Sequence, residues 1–146
     1  MNRASTEERL LVLVLRFAGA VLLLAYAAVF LPVAWMAAVH RWMGLGEFPS
    51  FPLVDYLTRS ISILYGIKGG LYLVLSTDVR RYRQVIAYCG WSAIGFGLAM
   101  IVIDARAGMP WTWTLGEGPC VILAGAALLF LVRRIGDIPD LPSVDA

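Results

Sequence analysis

The chain has 146 residues, 60% of them hydrophobic and 15% charged, with a formal net charge of +2 and a mean hydropathy of +0.78. Ordinary soluble domains carry roughly 45–50% apolar and 25% charged residues. This balance excludes a soluble globular domain, a disordered chain and a disulfide-rich secreted module, and it points to a single domain embedded in a membrane.

At roughly 20 residues per span, a chain of this length holds four membrane helices at most. The first apolar run is uncharged from Phe17 to Val39 and predicts a span over 17–39. Pro32 lies inside it and predicts a kink or a loosened turn. The stretch from Ala25 to Ala27 has the small-residue pattern of a signal cleavage site. Arg16 interrupts the apolar run before it, however, and apolar sequence continues to Ala38, longer than a signal core. The expectation is an uncleaved first span.

The loop from Arg41 to Asp55 contains Gly44, Gly46, Pro49 and Pro52, which forbid a regular helix through its middle. Its apolar Phe48, Phe51, Leu53 and Val54 suit a membrane-surface connector or a lid over a pocket.

The second span is predicted over 57–77. Positions three and four apart align on a helix. Asp55, Arg59, Ser62, Tyr65, Gly69, Tyr72 and Ser76 therefore form one stripe, with Lys68 at its edge. A lysine near mid-membrane costs roughly 2.5–3.5 kcal/mol on insertion scales. Lys68 lies about 12 Å of helix from Ser76, beyond easy snorkelling. It is expected to face the bundle, as a functional site or as a polar strut.

The third span is predicted over 84–104. Gly90, Ala93 and Gly97 line one of its faces, as Gly118 and Gly125 do on the fourth, predicted over 113–133. Such small-residue faces let backbones approach inside a bundle, or between two copies of the chain. Asp55, Arg59, Asp104, Arg106 and Glu117 all fall at the outer ends of the spans. They could meet as an ion-pair network. They could also form an anion or headgroup site on Arg59 and Arg106, or an acid/base set from Asp55, Asp104 and Glu117. Gly116 and Gly118 bracket Glu117 and let the backbone bend there. The tail over 137–146 carries prolines and aspartates and is expected to be flexible.

Charge placement predicts orientation. Arg3, Arg9, Arg16, Arg80, Arg81, Arg83, Arg133 and Arg134 fall on one side of a four-span fold, and Arg41, Arg59 and Arg106 on the other. The richer side is cytoplasmic by the positive-inside rule, so both termini are. Trp35, Trp42, Trp111 and Trp113 then form an outer interfacial belt.

Some chemistry is absent from the sequence. His40 is the one histidine, and Cys89 and Cys120 are not spaced as metal ligands, so no metal site, haem or other cofactor is evident. The cysteines fall at different depths and are not expected to bond. The sequence holds no serine elbow, zinc-protease motif or phosphate-cradling glycine loop. The arginines form no basic patch for nucleic acid.

The stretch RSISILYGIKGGLYL from Arg59 to Leu73, followed by DVRRYR from Asp78, resembles the DoxX-like group of small four-span bacterial membrane proteins. That resemblance implies a bacterial inner membrane. It also implies a role in quinone-dependent oxidation or in the assembly of membrane complexes.

The expected architecture is an all-α, up-down bundle of four transmembrane helices. The leading functional expectation is a non-enzymatic accessory or assembly subunit. Its outward-opening cavity would bind a lipid, a quinone-like molecule or a partner helix, through Asp55, Arg59, Tyr65, Lys68, Tyr72 and Arg106. The alternative is a small enzyme on a lipid or isoprenoid, with Asp104 or Glu117 as acid or base and Lys68 assisting. A third is a proton-coupled transporter formed by an oligomer. For this last, the inner halves of spans three and four offer no charge to continue a polar path.

Overall fold

A computed structural model describes residues 6–49 and 51–135. The tail expected over 137–146 lies outside them. Every regular element among the described residues is helical: α1 (Thr6–Leu24), α2 (Ala27–Phe30), α3 (Val33–Trp42), α4 (Pro52–Leu75), α5 (Arg83–Ala107) and α6 (Trp111–Arg134). Among the described residues, three segments are long and apolar enough to cross a membrane: Thr6–Phe30, Arg83–Ala107 and Trp111–Arg134. Helix α4 is equally long but carries Asp55, Arg59 and Lys68, and it is not among these three.

The first helix differs from expectation. It begins at Thr6 rather than at Phe17, and Arg9 and Arg16 ride on its exposed side. Glu7 and Glu8 occupy its first turn, where carboxylates favour the helix dipole. Arg16 needs no helix end, because its long stem carries the guanidinium to the Ser76 hydroxyl at 3.5 Å. At the far end, Ala25 and Tyr26 turn with tightened i→i−3 hydrogen bonds. Pro32 then separates α2 from α3. The kink expected at Pro32 is a full break, and residues 33–39 belong to a separate short helix. That helix buries only Met36, while Trp35 and Trp42 are 66% and 85% exposed.

Packing is organised in two pairs. Helix α5 packs along the length of α6, and α1 packs on α4 with α2 beside it. Helix α1 also touches α6, whereas α4 and α5 scarcely approach each other despite the short turn between them. Glycines set the distances. A Cβ at Gly69 would lie 2.7 Å from the Gly19 carbonyl oxygen. One at Gly125 would lie 2.6 Å from the Gly90 carbonyl, and one at Gly97 2.6 Å from that of Gly118. The small-residue faces therefore serve packing inside the chain.

The closed core lies at one end of the bundle. Leu11 and Leu15 of α1 meet Tyr72 and Leu75 of α4, Ile86 of α5, and Leu128 and Leu131 of α6. Arg80 in the α4–α5 turn pairs with Glu8 at this end. The start of α1, that turn and the end of α6 thus share one end, as an up-down order requires. At the other end α5 closes on Gly108, whose left-handed φ of 67° suits glycine.

Two glycines of α5 separate packing from propensity. Gly97→Val should lower stability by about 1–3 kcal/mol through overpacking against α6. Gly95→Ala, with nothing within 4 Å of its Cβ, should be neutral or mildly stabilising. Unfolding by denaturing detergent, followed by circular dichroism, reads both.

Candidate functional site

A cavity of about 910 Å³ opens between the two helix pairs, beyond the closed core. Its walls are mainly apolar, with Leu13, Phe17 and Val21 on the α1 side. Its polar groups come from Tyr65, Lys68 and Tyr72 of α4 and from Thr112, Trp113, Glu117 and Cys120 of α6. Phe96 is its aromatic contribution from α5.

Lys68 projects into this space. Its Nζ lies 5.9 Å from the centre of the Tyr72 ring and 6.0 Å from that of Phe96, within cation–π range. No carboxylate among the described residues lies within ion-pair distance of it; the two ion pairs are Arg59–Asp55 and Arg80–Glu8. The ammonium is thus held between aromatic faces of α4 and α5, with donors to spare.

Glu117 occupies the α6 wall. Trp113, one turn earlier, donates its indole N–H to Glu117 Oε2 at 2.8 Å. Pro119 lies just beyond, and its missing N–H frees the Leu115 carbonyl. The Cys120 thiol donates to that oxygen at 3.7 Å, a weak replacement. The carboxylate lies in electrostatic range of Tyr65 and Asp104.

The remaining expected site residues do not line the cavity. Arg59 Nε donates to Asp55 Oδ1 at 2.9 Å. Its other nitrogens donate to the Val29 and Leu31 carbonyls, the latter at 3.2 Å. In an unbroken helix those carbonyls would accept from Val33 and Trp35. The break at Pro32 leaves them open, and Trp35 N–H bonds to Pro32 instead, at 2.9 Å. Arg59 therefore clamps the broken helix. Asp104 is 2% exposed, and its Oδ2 has no hydrogen-bond partner among the described residues. Arg106 is exposed and pairs with no carboxylate among them. The outer charges thus do not assemble into one network. The loop at 43–49 is tied locally, with His40 Nδ1 3.2 Å from the Gly46 carbonyl oxygen and the His40 ring edge-on to Phe48.

Of the expected residues, Tyr65, Lys68, Tyr72 and Glu117 share the cavity, and Asp55, Arg59, Asp104 and Arg106 stand outside its lining. Phe17, Phe96 and Cys120 were not anticipated there. Phe96 falls on no polar stripe, and only the placement of α5 opposite Lys68 reveals it. No protein-family model, curated protein or solved structure matches the chain significantly.

Arg59 and Lys68, two cations on one helix, should behave oppositely. Arg59→Met leaves two half-buried carbonyls without a donor and should cost about 1–3 kcal/mol. Lys68→Met removes an unpaired charge and should leave stability unchanged or raised. Parallel detergent-unfolding titrations of the two variants test this.

Proposed function

We propose that this chain is a four-span protein of a bacterial inner membrane that binds a small amphiphile in the cavity between its helix pairs. The observation that carries this reading is Lys68. An ammonium with no carboxylate partner among the described residues faces a largely apolar cavity of about 910 Å³. That volume lies in the range of small-molecule sites, roughly 300–1,000 Å³. An ionisable side chain inside a membrane bundle marks a functional site by default.

Helix α4 is the fourth span. Its outer face, with Ile61, Leu64, Ile67, Leu71 and Val74, is exposed and apolar, as lipid contact requires. Its Tyr65, Lys68 and Tyr72 line the cavity. The arginine-rich end, with Arg9, Arg80, Arg81, Arg133 and Arg134, lies on the cytoplasmic side. Helix α3 then lies at the outer interface, its exposed Trp35 and Trp42 in the headgroup layer.

The protein acts as a binding or accessory subunit, in keeping with the DoxX-like resemblance of its second span. A lipid or a quinone-like molecule fits the cavity: an apolar body against α1 and a polar end at Lys68. Native mass spectrometry of the chain released gently from membranes tests this. One retained small amphiphile per chain is expected. Cys120→Trp, which fills the cavity, should abolish retention, and Lys68→Met should weaken it about tenfold or more, the worth of a hydrogen bond to a charged group. Equal retention by all three proteins would refute the reading.

A further inference from the structure

The polar end of the cavity defines a narrower class of ligand, if the cavity is a binding site as proposed above. We infer that it selects an uncharged, hydroxyl-bearing head on a single hydrocarbon chain, such as a monoacylglycerol, over a fatty acid or an alkylamine.

The argument rests on two opposite charges that share a cavity without touching. Lys68 and Glu117 both line it, yet no ion pair joins them. Each is held on its own wall: Lys68 by the Tyr72 and Phe96 rings, Glu117 by the Trp113 indole. An ammonium only donates hydrogen bonds, and a carboxylate only accepts them.

A carboxylate head would satisfy Lys68 and bring a second anion into the cavity that holds Glu117. An amine head would satisfy Glu117 and bring a second cation into the cavity that holds Lys68. Between largely apolar walls such like charges are less screened than in water. A hydroxyl has one donor and two acceptor sites, so it can accept from Lys68 or donate to Glu117 without adding a charge of either sign. Tyr65 and Thr112 add two hydroxyls of the same dual character. Leu13, Phe17 and Val21 offer the hydrocarbon wall.

Cys120 supplies the readout. It lines the cavity and is exposed, whereas Cys89 is buried in the core. The rate of thiol labelling at Cys120 is measured on the full chain in phosphatidylcholine nanodiscs. A monoacylglycerol, the fatty acid and the primary alkylamine of equal chain length are titrated in separately.

In the wild type the monoacylglycerol should protect Cys120 at about tenfold lower concentration than either charged amphiphile, a difference of 1.4 kcal/mol. Glu117→Gln should shift the preference to the fatty acid, Lys68→Met should shift it to the alkylamine, and Lys68→Arg should keep the wild-type order. If a charged amphiphile protects the wild type best, or if neither variant changes the order, the inference is overturned while the cavity remains a binding site. If no amphiphile protects Cys120, both the inference and the binding reading fall. The wild-type comparison decides the matter even if a variant does not fold.

Discussion

Backbone meets backbone where Gly19 faces Gly69, Gly90 faces Gly125 and Gly97 faces Gly118. Any side chain at these points would strike a carbonyl or a neighbouring helix. These contacts pull α1 onto α4 and α5 onto α6, and nothing comparable joins α4 to α5. Large aliphatic side chains fill the space between the pairs only at one end, around Leu11, Ile86 and Leu131. Toward the other end the pairs enclose the cavity. The void is thus a consequence of unequal packing: two glycine-tight pairs and a looser seam.

That seam is where polar groups become tolerable. Lys68 would be costly against lipid, but facing the cavity it meets two aromatic rings and open space. Glu117 lies in the first turns of α6, which stay helical although Pro119 has no N–H for the Leu115 carbonyl. The two charges remain apart because each has its own support. Arg59 illustrates the contrary case. Its hydrogen bonds are all to Asp55 and to the open carbonyls near Pro32, so its charge serves the backbone.

Much of this arrangement was legible in the sequence. The helical character, the polar stripe of α4 and the packing faces of α5 and α6 follow from three- and four-residue spacing. The inward placement of Lys68 followed from the cost of a lysine in lipid. The start of α1 was not legible, because Arg9 and Arg16 look like a span boundary until Ser76 is seen to accept from Arg16. The role of Arg59 was hidden for a similar reason: its partners Val29 and Leu31 lie far away in sequence and are backbone atoms. The outer charges shared a depth but not a direction. Asp104 turns into a buried position, Arg106 turns outward, and helical periodicity on separate elements does not fix their relative rotation.

The account depends on an ammonium with no carboxylate partner among the described residues, held over open space between two helix pairs. Single-particle imaging of the chain in a lipid nanodisc, at side-chain resolution, tests that most directly. The account predicts the Lys68 side chain between the Tyr72 and Phe96 rings, with additional elongated density in the cavity ending at its Nζ. A Lys68 paired directly with Glu117 in a collapsed seam, or reaching out to the membrane surface, would contradict it.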